Sequence, residues 1–278
     1  MEKILLVTDA TAVNIQAVDF ACYIARLTRS RLTGIFLENM LLAEIPLTRT
    51  MHGLTYIETV VTDDIPVNED KKALCRANAK LFADACENRG VNCNLRHHVT
   101  GSVSVVLHES RYADLLIIDP ATSFKERDAV PSRFTREVLS RVECPVLVAP
   151  FSFDAIDEIL FTCDGSASAS YAIRQFGYLF PELNDRKVTV LQINNSGKWD
   201  ETQKNMVNSL LQCRYEGIHF SALKGNTPDV MFDYLLGKTN ILVVMGAFGR
   251  GAWSSFFKRS VAEKLLKTIN LPVFIAHH

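Results

Sequence analysis

No long apolar run occurs in this chain of 278 residues. Its hydrophobic stretches are strand-length and broken by polar residues, so none could span a bilayer. The N-terminus carries Lys3 and then only Ile4–Val7 before Thr8–Asp9, too short an apolar segment for a signal peptide. An excess of either charge is missing as well. Thirty Lys and Arg against 31 Asp and Glu leave −1, which gives no basic footprint for nucleic acid and no acidic tail. The cysteines number seven, an odd and scattered set without C-x-x-C, which fits buried thiols in a reducing, cytoplasmic compartment. H-E-x-x-H, G-x-S-x-G and G-x-x-x-x-G-K-(S/T) do not occur, and no general base accompanies a nucleophile. His97–His98 and His277–His278 are adjacent pairs. Neighbours on a strand point to opposite faces, so neither pair makes a natural chelate, and no metal site is expected.

What is present is a strand, a glycine-bearing loop and a helix start in that order. The apolar run Ile241–Val244 leads into Met245–Gly246–Ala247–Phe248–Gly249, and Ser260–Val261 opens a helical pattern eleven residues later. Glycines let a backbone approach an anion, and the first N–H groups of a helix are unpaired and point outward. Ser260 suits both an N-cap and a hydroxyl donor to phosphate. A second strand, Glu158–Cys163, ends in Asp164–Gly165–Ser166 before another helical pattern. In open α/β sheets ligands sit beyond the carboxyl ends of strands, where the strand order reverses. Asp164 and the glycine loop are therefore candidates for one crevice, although a strand-end Asp is as readily a turn residue.

These residues resemble the universal stress proteins. That pattern is a strand-end Asp, a later G-x-P turn, then G-x-x-G, nine residues, and G-(S/T) before the last helix. Here it reads Asp164, Gly225–Asn226–Thr227–Pro228, Gly246–Gly249, and Arg259–Ser260. The resemblance implies an ATP site, with AMP or ADP as alternatives and Mg²⁺ accompanying ATP. Asp164 would meet the adenine or ribose end, and the backbone at Ile193 would line the base pocket. Gly246 and Gly249 would admit the phosphates, with Ser260 and the Val261 N–H binding them. Arg250, Lys258 and Arg259 are nearby cations able to neutralise a triphosphate. One departure matters: Arg259 stands where ATP-binding members carry glycine, and its side chain either crowds the triphosphate or replaces a lost backbone contact.

The pattern occurs twice. Ile4–Thr11 parallels Ile159–Ser166, Ala113–Ile118 parallels Thr239–Val244, and Cys144–Ala149 parallels Leu271–Ala276. Two tandem domains follow, 1–150 and 151–278, each large enough to bury its own core. Each is expected to be α/β, flavodoxin-like or Rossmann-like, a five-stranded parallel sheet with helices on both faces. The strand order 3-2-1-4-5 is what the resemblance implies. Strands are expected near 3–8, 32–37, 93–98, 114–119 and 145–149, then 158–163, 187–193, 218–223, 240–245 and 272–276. Helices are expected near 13–28, 69–89, 102–111 and 133–142, then 167–180, 199–215, 228–236 and 260–269. The two final strands would leave unpaired edges if exposed, so the halves are expected to pair through them.

The halves differ chemically. Carried across this alignment, Gly246 becomes Pro120, Gly249 becomes Ser123, and Ser260 falls near Arg133. Proline removes an N–H, so the first loop is not expected to cradle phosphate. Residues 38–68 form an insertion found only in the first half, either a lid on its own sheet or a surface for a partner. Cys163 beside Asp164 is expected to be a core side chain. The leading functional expectation is an adenine-nucleotide-binding regulator of the stress response. Slow ATP hydrolysis is the one activity left open, and a homodimer is compatible with the sequence. The alternative is a structural or interaction protein of the same fold without nucleotide, or a binder of a smaller anion.

Overall fold

The computed structural model describes residues 1–51, 54–125, 128–246 and 269–277. In the first half of the chain, β1 (Lys3–Asp9), α1 (Ile15–Leu27) and β2 (Arg31–Leu37) are followed by a hairpin, β3 (Ala43–Met51) and β4 (Leu54–Thr62). A short 3₁₀ turn, Pro66–Asn68, leads into α2 (Glu69–Asn88), β5 (Cys93–His98), α3 (Val103–Ser110), β6 (Leu115–Ile118), α4 (Arg133–Arg141) and β7 (Val146–Val148). The second half runs β8 (Glu158–Thr162), α5 (Ala167–Leu179), β9 (Lys187–Asn194), α6 (Glu201–Leu211), β10 (His219–Lys224), α7 (Thr227–Leu235), β11 (Ile241–Gly246) and β12 (Val273–Ala276). The helix expected near 260–269 lies outside the described residues except for Ile269, which is buried.

Ten strands form one sheet in the order β10-β9-β8-β11-β12-β7-β6-β1-β2-β5. Each half contributes the order 3-2-1-4-5, all parallel within it. The halves meet at a single antiparallel pair, β7 with β12, in which Leu147 faces Phe274. Rather than two separate five-stranded sheets, the strands therefore form one continuous sheet. The reason is edge chemistry. Val146–Val148 and Val273–Ala276 are short and apolar, and joining them satisfies backbone groups that an open edge would leave bare. The true outer edges, β5 with Arg96, His97 and His98 and β10 with His219 and Lys224, are polar.

Alternation along the strands divides the core into two faces. Ile4 and Leu6 of β1 point to one, packed with Phe20 of α1, Phe82 of α2, Phe176 of α5 and Leu211 of α6. Leu5 and Val7 point to the other, with Val106 of α3, Val138 of α4 and Met231 of α7. The first face runs unbroken across the seam. Phe274 lies 5.3 Å from Phe176 and 6.0 Å from Phe180, and Phe153 of the connecting segment packs edge-to-face on Phe20 at 4.9 Å. Burying each such ring contributes about 2–3 kcal/mol. Ser152 and Asn270 exchange hydrogen bonds beside the seam.

Candidate functional site

The expected site lies at the carboxyl ends of β9, β8 and β11, where the strand order reverses. The β8–β9 register runs Phe161 to Val190 and Thr162 to Leu191, so Asp164 and Ile193 stand level just beyond it. Phe161 faces Val244 on β11, and Gly246 ends that strand two residues further on. Three of the seven candidates thus come together at one end of the sheet. Gly249, Arg259, Ser260 and Val261 lie outside the described residues.

Asp164 sits on the exposed turn between β8 and α5. Its Oδ1 accepts the Ser166 N–H at 2.9 Å, while Ser166 caps α5 by accepting the Ala169 N–H at 3.1 Å. Gly165 between them has φ +81, a left-handed conformation that favours glycine. The turn therefore holds one Asp164 oxygen and leaves Oδ2 toward solvent, able to accept from a ligand hydroxyl or amine. Ile193 is half-buried, aligned with Leu223 of β10 and packed on the same cluster as α7. Cys163 is buried, and burial pushes its thiol above the usual cysteine value, as suits a core side chain.

Gly246 has a packing role. A Cβ there would stand 2.5 Å from the Ala169 nitrogen and 2.6 Å from the Ser168 carbonyl oxygen, inside the first turn of α5. Its φ lies outside the left-handed region, so the need for glycine is close approach to helix backbone. A side chain here would clash with main chain, which has no rotamer to escape into.

Sequence reasoning missed a polar group on the same rim. Gln203 of α6 lies against Gly165, and a Cβ on that glycine would overlap its amide. Its Oε1 accepts Gln192 Nε2 at 2.6 Å, and Gln192 in turn accepts Asn194 Nδ2 at 3.1 Å. Asn194 folds the following loop by accepting the N–H groups of Ser196 and Gly197 at 3.0 and 2.7 Å. No spacing signal reveals this chain, because α6 reaches the crevice only through the tertiary fold. Together with Asp164 it forms a hydrogen-bonding rim suited to a polar heterocycle or a ribose.

In the first half, Asp9 ends β1 and accepts both the Thr11 N–H and its hydroxyl at 2.7 Å, repeating the Asp164–Ser166 turn. The loop after β6 departs. Strand register pairs Ile4 with Leu115 and Ile159 with Leu242. Asp119 rather than Pro120 therefore stands level with Gly246, a correction of one residue. Both strands are continuous apolar runs, and without alternation a one-residue slip leaves no trace in sequence. Asp119 Oδ2 accepts Asn14 Nδ2 at 2.7 Å, and α1 starts six residues after Asp9, whereas α5 starts three after Asp164. A cleft of about 230 Å³ remains, lined by Asp9, Asn14, Asp119 and Ser123.

At the start of α4 the chain supplies its own anion. Asp128 Oδ2 accepts the Arg133 N–H at 3.0 Å and the Ser123 hydroxyl at 3.0 Å. The hydroxyl that caps this helix belongs to Ser132, one residue before the expected Arg133. It accepts the Thr135 N–H at 2.9 Å and donates to the Thr122 carbonyl. Burial is the largest single influence on the Asp128 carboxyl and raises it, but the Arg133 and Ala129 N–H groups and Ser123 together outweigh it, leaving the value below the usual carboxylate range.

Among the described residues no cluster of three or more His, Cys, Asp or Glu is placed to hold a metal. His97 reaches Glu38 at 2.9 Å while His98 lies 3.8 Å from Glu109, on the opposite face. None of the described helices is long and apolar enough to cross a membrane.

No family model matches the sequence. A search of curated proteins finds no match either. Solved structures do match. A universal stress protein from Archaeoglobus fulgidus superposes with a TM-score of 0.71 at 14% identity, over 99% of this chain and 98% of that one. A Pseudomonas aeruginosa protein of unknown function superposes with a TM-score of 0.58 at 13% identity, over 100% of this chain and 92% of that one. The chain has the α/β fold of the universal stress proteins over its whole length.

Proposed function

We propose that this chain is an adenine-nucleotide-binding regulator with two tandem domains, 1–150 and 151–278, of which only the second takes ATP. The observation that carries this is the placement of Asp164, Ile193 and Gly246 at adjacent strand ends where the strand order reverses. Asp164 Oδ2 and the Gln192–Gln203–Asn194 rim accept and donate to the adenosine end. Gly249, Ser260 and the Val261 N–H take the phosphates, with Arg259 supplying charge and Mg²⁺ accompanying ATP. Gly246 serves this arrangement by letting α5 close on β11. Seven unpaired cysteines support a reducing, cytoplasmic setting.

Extraction of nucleotide from the purified chain, read by mass analysis, tests the proposal. ATP, ADP or AMP at about one per chain supports it; nucleotide-free protein that also fails to bind added ATP refutes it. Arg259 then sharpens the reading. A guanidinium on the outer phosphates predicts that Arg259→Ala weakens ATP roughly tenfold while sparing AMP. The second reading, an interaction protein without nucleotide, is favoured by that same arginine in place of glycine. It predicts no binding by wild type and recovery in Arg259→Gly.

A further inference from the structure

The segment 38–68 is neither a lid on its own sheet nor a disordered loop, but an arm. Strands β3 and β4 pair only with each other, from Ala43 opposite Thr62 to Met51 opposite Leu54. Nine residues a side make a ribbon about 30 Å long. A two-stranded ribbon alone is marginally stable and needs a hydrophobic face covered.

The base of this arm is built firmly. Asn68 is fully buried, and its side-chain amide bridges both ends of the ribbon. It donates to the carbonyls of Leu41 at 2.8 Å and Asp63 at 2.7 Å, and accepts the Leu41 N–H at 3.2 Å. Lys72 adds ion pairs to Asp63 and Asp64. A buried asparagine spending three hydrogen bonds here fixes the direction in which the arm leaves the domain.

Directly opposed residues share a face. One face carries Ile45 with Val60, Leu47 with Glu58, and Arg49 with Tyr56, then Leu54 near the tip. Leu47 and Tyr56 are each 44% exposed and Leu54 is 76% exposed. Apart from Thr62 at its base, the face is apolar around one cation and one anion, Arg49 and Glu58, paired at 2.8 Å across its centre. The opposite face mixes Glu44, Thr48, Thr50, Thr55 and Thr59 with Pro46, Ile57 and Val61, and among its described residues carries no ion pair.

The two central charges identify the occupant. Consider a two-fold axis lying in this face, between the Leu47–Glu58 and Arg49–Tyr56 rows. It sets each Arg49 beside the other copy's Glu58 and opposes no like charges. A patch complementary to itself under a two-fold is the signature of an isologous interface. We infer that the Ile45–Leu47–Tyr56–Val60 face of the arm docks on the same face of a second copy of this chain. This surface is separate from the β7–β12 seam, which is already paired within one chain. The ribbon face offers roughly 300 Å² per partner against about 800 Å² for a stable complex. The dimer is accordingly reversible.

Sedimentation velocity of the full chain from about 1 µM to about 1 mM tests this, with Arg49→Glu and Glu58→Arg measured singly and mixed. Wild type should show a concentration-dependent dimer. Each single variant places like charges against like and should weaken it about a hundredfold. An equimolar mixture of the two variants should recover the dimer, because one presents two carboxylates and the other two guanidinium groups. A purely intrachain role of the Arg49–Glu58 pair gives no recovery on mixing, and that result overturns the inference. So does a wild type that stays monomeric, or variants that dimerise as wild type does. As a check independent of any variant, amide exchange in 43–51 and 54–62 should slow as concentration rises; unchanged exchange also contradicts it.

Discussion

The two halves share a strand order and a strand-end aspartate, yet the space beyond their central strands is filled by opposite chemistry. In the second half, Gly246 lets the first turn of α5 lie directly on the end of β11. In the first, Asp119 occupies that level, α1 begins later, and the carboxylate is tied to Asn14. At the start of α4, Asp128 takes the position in which a helix N-terminus would receive an anion. The crevice of the first half therefore presents carboxylates, which repel a triphosphate. That of the second presents Asp164 on one side and amides on the other. A duplicated fold can keep its core while one copy satisfies internally what the other leaves for a ligand.

The comparison breaks most visibly at Gly246. Gly246→Val should destabilise the chain by about 3 kcal/mol, because the clash is with Ser168 and Ala169 main chain. Asp119→Ala, at the same level of the first half, should cost only about 1–2 kcal/mol through the lost Asn14 and Ala121 bonds. Urea denaturation of both variants measures the difference, and equal costs would mean that the two strand ends are packed alike.

Next in size is the aspartate pair. Asp164→Ala should weaken ATP roughly tenfold through loss of one charge-assisted contact, whereas Asp9→Ala should leave affinity unchanged. Asp9 makes one more hydrogen bond in its turn than Asp164, so Asp9→Ala should cost the more stability even as it spares affinity. Calorimetric titration of the two variants separates ligand contact from turn geometry.

The smallest effect concerns pH. Asp128 and Glu158 both lie below their ordinary values. For Glu158, burial alone would raise the value, but Thr189 at 2.6 Å and Lys187 at 3.0 Å outweigh it. A carboxyl depressed in the folded state adds stability above its unfolded value, about 3.9 for Asp and 4.3 for Glu. That stability is lost as pH falls through the folded values. Urea midpoints should thus drop below about pH 4, and Asp128→Asn should flatten part of that drop. Solvent screening keeps the contribution of the exposed Asp128 small.

Much of this architecture can be read in the sequence, since strands buried on both faces are continuous apolar runs and helices carry their caps. Asn14, Ser102, Ser132, Ser166 and Asp200 each accept an N–H at a helix start. The hairpin at 43–62 escaped because both its faces are exposed and Thr, Pro46 and charge interrupt its alternation. The Asp119–Gly246 equivalence escaped because unalternating strands hide their register. Asp128 escaped because it lies in an irregular loop with no periodicity, and Gln203 because α6 meets β9 only in the folded chain.

The central claim is that one crevice of the two binds nucleotide, and the stoichiometry of ATP binding to the intact chain tests it most directly. Isothermal titration should give one equivalent per chain, abolished or strongly weakened by Asp164→Ala and unaffected by Asp9→Ala. Two equivalents, or a single equivalent lost with Asp9 and kept without Asp164, would contradict the account.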